Sequence, residues 1–210
     1  MHAFIVFEGI DCCGKSTQIQ HLKKRLENDG ISVLATREPG GTPLAEKIRT
    51  LILEESLDPM TELLLLSAAR HEHVQKVISP ALQQGKITIC DRFYGSTLAY
   101  QCYGKGLDPQ IAMQVTNIAI GPVRPTLTIL LDIMPEVAQA RKANRAGDDN
   151  NHYDDKGLTF YTTLRAAFVE IAKTEENWSV VNADQNEDFL ANEVYEVVRK
   201  RLHLNNMEVL

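Results

Sequence analysis

Apolar runs and helical patterns alternate along this chain. Ala3-Phe4-Ile5-Val6-Phe7 predicts a strand over residues 3–8. Ile19, Leu22 and Leu26 then recur at helical spacing, predicting a helix over 15–28 that Asn28-Asp29-Gly30 stops. A second strand is expected over 32–37, broken by Pro39-Gly40-Gly41, with a helix starting at Thr42 and Pro43. Leu63, Leu66, Ala69, Val74, Val77 and Ile78 predict one long helix over about 59–84. Further strands are expected over 86–91, 126–132 and 179–182. Further helices are expected over 94–103 and 108–120, from Pro135, and over 158–174 and 186–203. Residues 144–157, rich in Asn, Asp and Gly, read as a mobile loop, and 205–210 as a frayed end. Strands alternating with helices in this way imply βαβ units, hence an α/β fold with a five-stranded parallel sheet flanked by helices on both faces. Residues 1–210 contain no repeat and no interdomain linker, so one domain is expected, with a short lid over about 141–157.

With 210 residues the chain can bury a sizeable core, and a net charge of −6 gives no support for a nucleic-acid partner. Leu63-Leu64-Leu65-Leu66 is too short to span a bilayer, so no membrane partner is expected. Met1-His2-Ala3-Phe4 lacks the basic region and apolar core of a signal peptide, which points to a cytoplasmic protein. In that compartment Cys12, Cys13, Cys90 and Cys102 are not expected to form disulfides. Cys90, at the end of an apolar run, reads as core. Cys12 and Cys13 allow two readings: thiols with a lowered pKa near a helix start, or small residues in a tight loop.

The chemistry gathers where the predicted strands end. Gly9-Ile10-Asp11-Cys12-Cys13-Gly14-Lys15-Ser16 fits the phosphate-loop pattern G-x-x-x-x-G-K-[ST], followed by Thr17. Successive backbone N–H groups of such a loop cradle phosphate, Lys15 would reach the β/γ-phosphates, and Ser16 would hold Mg²⁺. The second strand delivers Arg37-Glu38-Pro39-Gly40-Gly41-Thr42 and the third Asp91-Arg92. Asp91 reads either as a carboxylate near Mg²⁺ or as a helix cap. Arg37 and Arg92 suit bidentate phosphate binding. Periodicity alone places Arg70 on a solvated helix face. His71 and His73 face different sides of a helix, so they chelate poorly and read as surface or structural residues. Arg141, Lys142 and Arg145 read either as a solvated helix end or as cations closing over a transferring phosphate.

The loop Gly9–Thr17, Arg37-Glu38-Pro39-Gly40-Gly41-Thr42, Ala68-Ala69-Arg70, Asp91-Arg92-Phe93 with Ser96, and Ala99-Tyr100-Gln101 closely resemble the thymidylate kinase family in order and spacing. Arg124-Pro125 through Asp132 and Asn182-Ala183-Asp184 resemble it as well, so the likeness spans nearly the whole chain. The resemblance implies a phosphate-loop nucleoside monophosphate kinase that transfers the γ-phosphoryl of ATP to dTMP, with Mg²⁺, as a homodimer. It implies that Asp11 touches the sugar or acceptor-phosphate region, that Arg37 and Arg92 hold the dTMP phosphate, and that Arg70 hydrogen-bonds thymine. Thr97 and Gln101 would define the base pocket, Tyr100 would pack on the deoxyribose, and residues 182–185 would border adenine. Lys15, Arg92, Asp11 and Arg145 are the expected catalytic residues, Gly9 to Thr17 the ATP-binding ones, and Ser16 and Asp91 the Mg²⁺ ligands.

Three positions depart from the family. Leu66 stands where Phe usually stacks on thymine, Cys12 where some members carry Arg, and Asn151-His152-Tyr153-Asp154 where bacterial members carry a lid ending Asp-Arg-x-Glu. The lid expectation therefore rests on Arg141 and Arg145. Another phosphate-loop nucleotide or deoxynucleoside kinase is the alternative enzyme reading. A GTP switch lacks its Asn-Lys-x-Asp signature here.

Overall fold

A computed structural model describes residues 3–143 and 157–204. Five strands, β1 (Ala3–Glu8), β2 (Val33–Arg37), β3 (Ile87–Asp91), β4 (Leu127–Asp132) and β5 (Trp178–Asn182), form one sheet in the order β2-β3-β1-β4-β5. Every pairing is parallel. The helices are α1 (Lys15–Asn28), α2 (Pro43–Glu54), α3 (Pro59–His73), α4 (Ser79–Gln83), α5 (Tyr94–Thr97), α6 (Pro109–Ile120), α7 (Pro135–Ala143), α8 (Leu158–Thr174) and α9 (Glu187–Arg201).

Parallel strands need covering on both faces, and the alternation of β1 shows how this is done. Ile5 and Phe7 face a core shared with α1, α8 and α9, while Phe4 and Val6 face a second core built on Val74, Ile78, Phe93 and Ile120. Winding goes from β1 outward to β2 and back to β3, then crosses to β4 on the other side of β1. The carboxyl end of β1 is therefore the point where the winding reverses, the usual place for a ligand crevice in such sheets. Register brings Phe7, Asp91 and Arg37 side by side across β1, β3 and β2 at that edge.

Local chemistry sets the helix starts. Thr42, Asp58 and Asp108 accept the first backbone N–H groups of α2, α3 and α6, each with Pro at the opening position. The helix expected over 59–84 is interrupted. A wide π-type turn at Val74–Ile78 separates α3 from α4. Pro80 has no N–H for the carbonyl four residues back, so the helical ladder cannot run through unbroken. A second wide turn, Leu98–Tyr103, replaces regular helix after α5 and carries Tyr100 and Gln101.

Candidate active site

The loop after β1 is shaped by its own backbone. Gly9 has φ 139°, and a Cβ there would sit 2.7 Å from the Leu131 carbonyl oxygen and 2.9 Å from Cys13 Sγ, so no side chain fits. Gly14 opens α1 at φ 102° without a side-chain cap, whereas α2, α3, α6 and α9 are capped by side chains. The start of α1 thus carries no side-chain cap, and the positive end of its helix dipole favours an anion there. Lys15 is buried beneath the loop, its Nζ donating to the carbonyls of Gly9 at 3.2 Å and Ile10 at 3.0 Å. Ser16 Oγ donates to Asp91 Oδ2 at 3.0 Å. A hydroxyl and a carboxylate at this spacing form a hard oxygen pair suited to Mg²⁺, which takes few protein ligands when it binds with a polyphosphate. Among the described residues no group of three His, Cys, Asp or Glu side chains could hold a metal.

Arg92 links this loop to a neighbouring cavity. Its backbone lies at φ 69°, rare for a residue with a side chain. Glu8, fully buried at the end of β1, holds the segment by accepting from the backbone N–H of Phe93 (2.9 Å) and Ser96 (3.0 Å) and from Ser96 Oγ (2.6 Å). Arg92 Nη1 donates to the Gly9 carbonyl and to Ser96 Oγ, both at 3.0 Å. Nη2 donates to Asp11 Oδ1 at 2.5 Å and to the Tyr100 hydroxyl at 3.2 Å. The Tyr100 hydroxyl in turn donates to Asp11 Oδ2 at 3.1 Å. Burial opposes ionisation of Asp11, but the charges of Arg92 and Lys15 outweigh it and hold its pKa below the ordinary value. Burial raises Glu8, only partly offset by Arg92, and likewise pushes the Tyr100 hydroxyl well up.

The cavity measures about 140 Å³. Asp11, Leu66, Arg70, Arg92, Thr97, Tyr100 and Gln101 all line it. Arg37 does not. It is mostly exposed, paired with Glu46 at 3.0 Å, and borders a separate depression with Ser16 and Asp91. Neighbouring residues at a strand end face opposite ways, and here Glu38 turns inward while Arg37 turns out. Arg49 on α2 lines the cavity instead, its Nη1 donating to the Pro39 carbonyl at 3.2 Å. Sequence reasoning missed Arg49, whose only signal was its place one turn before Ile52 and Leu53, which also line the cavity. It missed Glu8 and Glu62 too. Glu8 was legible as the lone charge in an apolar strand. Glu62 accepts from Gln101 Nε2 at 2.8 Å and from Lys105 Nζ, and so orients the Gln101 amide.

Arg70 corrects the periodicity reading. It is 3% exposed, not solvated. The segments after β2 and β3 enclose its guanidinium, which donates to Thr97 Oγ1 at 3.0 Å and the Phe93 carbonyl at 3.3 Å, and Glu38 supplies the counter-charge at 2.6 Å. His71 is exposed with Nδ1 2.9 Å from the Ala119 carbonyl, and His73 is buried, in keeping with surface and structural roles. Cys12 is half-buried, and Cys13, Cys90 and Cys102 are buried. Cys13 contradicts the lowered-pKa reading, since burial raises it despite the charge of Lys15.

On the other side of the loop, Arg141 lines a cavity with Cys12, Gly14, Thr17, Gln18 and Gln185. Its Nη2 donates to the Ala183 carbonyl at 2.8 Å and its Nη1 to the Cys13 carbonyl at 3.5 Å. Arg145 and His152 lie outside the described residues.

The sequence model of the thymidylate kinase family matches residues 7–194. A thymidylate kinase of Syntrophotalea carbinolica is 42% identical over 212 residues, covering 97% of this chain and 98% of its own. One of Magnetococcus marinus is 41% identical, covering 96% and 98%. One of Geobacter sulfurreducens is 39% identical, covering 96% and 99%.

Proposed function

The chain belongs to the thymidylate kinase family, and on that premise we propose that it phosphorylates dTMP to dTDP with ATP. The γ-phosphoryl group passes to an oxygen of the dTMP phosphate, leaving ADP. That acceptor oxygen is already ionised at neutral pH, so no general base is needed. The demand on the protein is alignment and neutralisation of two polyanions. The observation that carries the reading is the pair Arg92–Asp11, which joins a phosphate loop to a cavity lined by two further arginines, Arg49 and Arg70.

The phosphate loop from Gly9 to Thr17 holds the ATP phosphates, with Lys15 moving from its loop carbonyls onto them. Ser16 and Asp91 would hold Mg²⁺, which neutralises phosphate charge when bound. Arg92 and Arg49 hold the acceptor phosphate, and Asp11 keeps the Arg92 guanidinium aimed between the two sites. Arg70 meets the thymine base, Leu66 covers its face, and Thr97 and Gln101 border it. Tyr100, fixed by Asp11 and Arg92, lies against the sugar. Arg141 and Gln185 flank the adenine, and Arg145, in a lid over 141–157 of one kinase domain, supplies the remaining cation.

Exposed Leu64 on α3 and Ile111 and Ile118 on α6 support homodimerisation through that pair of packed helices. Among the described residues no helix is long and apolar enough to cross a membrane. A coupled ADP-release assay with dTMP, dUMP, CMP and AMP as acceptors tests the reading. Fastest turnover with dTMP is expected, and a preference for another acceptor would overturn it.

A further inference from the structure

Arg70 and His73 stand one turn apart on α3 and reach the two oxygens of a single carboxylate. Arg70 Nε donates to Glu38 Oε2 at 2.6 Å, and His73 Nδ1 lies 3.0 Å from Glu38 Oε1. On the far side of the imidazole, Nε2 lies 2.7 Å from Thr36 Oγ1. The His73 side chain has no exposed surface, and the turn at Gly41 closes over it so tightly that a Cβ there would come within 2.6 Å of the ring. The carboxylate accepts, so the Nδ1 facing it carries a proton, and Nε2 pairs with the Thr36 hydroxyl. The contacts therefore form one chain, Thr36 to His73 to Glu38, and Glu38 also takes the Arg70 Nε–H.

Arg70 is held by three acceptors: Glu38 Oε2, Thr97 Oγ1 at 3.0 Å and the Phe93 carbonyl at 3.3 Å. A guanidinium has five N–H groups in one plane, so two remain, in an orientation those three bonds dictate. Glu38 and Arg70 line the cavity, and His73 does not. Among the described residues, one oxygen of Glu38 is held by Arg70 and the other by His73.

We infer that His73 is a positioning residue for the acceptor base: through Glu38 it sets the plane of Arg70, and with it the affinity of the cavity for a base that offers Arg70 a carbonyl oxygen. The inference rests on the reading of this cavity as the dTMP site. Its effect belongs to binding and not to phosphoryl transfer, because the acceptor phosphate is held by other residues. That separates it from a merely structural role, which would lower stability or disturb both nucleotides alike.

The test is steady-state kinetics of the full chain with dTMP and ATP, using His73→Leu, His73→Asn and Thr36→Val. His73→Leu keeps the apolar volume but gives Glu38 no donor. It should raise KM for dTMP about tenfold, or about 1.4 kcal/mol, with kcat and KM for ATP within about twofold of wild type. His73→Asn keeps an N–H near the Nδ1 position and should recover most of the loss. Thr36→Val frees the ring and should raise KM for dTMP about threefold. An unchanged KM for dTMP in His73→Leu, a parallel change in both KM values, or an Asn variant as impaired as the Leu variant would each overturn the inference. Should His73→Leu not fold, Thr36→Val decides, and a wild-type KM for dTMP in that variant overturns it. A wild-type enzyme that does not phosphorylate dTMP would instead overturn the substrate reading, independently of any variant.

Discussion

The Arg92 guanidinium and the Asp11 carboxylate meet at 2.5 Å between the loop after β1 and the cavity lined by Arg49 and Arg70. Asp11 belongs to the loop that follows β1, Arg92 to the segment that follows β3, and β1 and β3 are neighbours in the sheet. One ion pair therefore registers the loop against the cavity. Tyr100 bridges the same pair with its hydroxyl.

This pair has a pH signature. Although burial disfavours the Asp11 carboxylate, Arg92 and Lys15 hold its pKa below the unfolded value of about 3.9. A depressed carboxylate contributes stability above its unfolded pKa and loses it as pH falls through the folded pKa. Asp11→Asn should melt below wild type at neutral pH, with the gap closing on acidification below about pH 4. Thermal melts across that range check this, and a gap that persists at the lowest pH would contradict it.

Lys15→Ala removes a cation from a buried site at the loop. The expected loss in kcat is on the order of a hundredfold or more, since fixed charge at a transferring phosphoryl group carries much of the catalysis. The fold should persist, because among the described residues the Lys15 ammonium bonds to groups of its own loop, at Gly9, Ile10 and Cys13. Retention of more than about a tenth of kcat, a loss of only ~1.4 kcal/mol, would remove Lys15 from the assigned role.

Arg49 and Arg37 make a contrast. Arg49→Ala should raise KM for dTMP about tenfold or more, since a charged hydrogen bond in a cavity is worth about 1.5–3 kcal/mol. Arg37→Ala should change it by less than about threefold, because the Arg37–Glu46 pair is solvent-exposed and such pairs contribute little. Initial-rate kinetics at saturating ATP distinguish the two, and the reverse ranking would return the acceptor phosphate to Arg37.

The two lid-side arginines should separate by kinetic parameter. Arg141 bonds the Cys13 and Ala183 carbonyls and lines the cavity beside Cys12, Gly14 and Gln185, proposed for ATP. Arg141→Ala should therefore raise KM for ATP several-fold, on the order of 1 kcal/mol. Arg145→Ala should lower kcat on the order of a thousandfold with nucleotide affinity kept, as loss of a transition-state arginine does. Cys12→Ser should be nearly silent. A kcat loss confined to Arg141→Ala would exchange the two roles.

Much of the architecture was legible because its causes are local. Apolar runs such as Ile5-Val6-Phe7 and Ile129-Leu130-Leu131 read as strands from a few neighbouring residues, and Pro after Thr42, Asp58 or Asp108 marks a helix start by its own stereochemistry. The phosphate loop was legible for the same reason: eight consecutive residues carry the whole geometry. The interruption of the helix near Val74 was less so, because Pro80 announces a break without saying on which turn it falls.

The cavity lined by Arg49 and Arg70 was decided elsewhere. Its walls come from the loop after β1, the turn after β2, α2, α3 and the segments after β3, brought together only by the order β2-β3-β1-β4-β5. Periodicity placed Arg70 in solvent because it sees one helix at a time, and the segments after β2 and β3 enclose its guanidinium only in three dimensions. That Glu38 and not Arg37 lines the cavity turns on which of two adjacent residues faces inward at the end of β2. His73 reaches the site through Glu38, 35 residues away in the chain. The sequence by itself thus determined the elements, the loop chemistry and the family, because these rest on residues close together along the chain. Which charges share a cavity, and which are held in place by a third residue, was settled by packing alone, because burial and partner geometry exist only once distant segments meet.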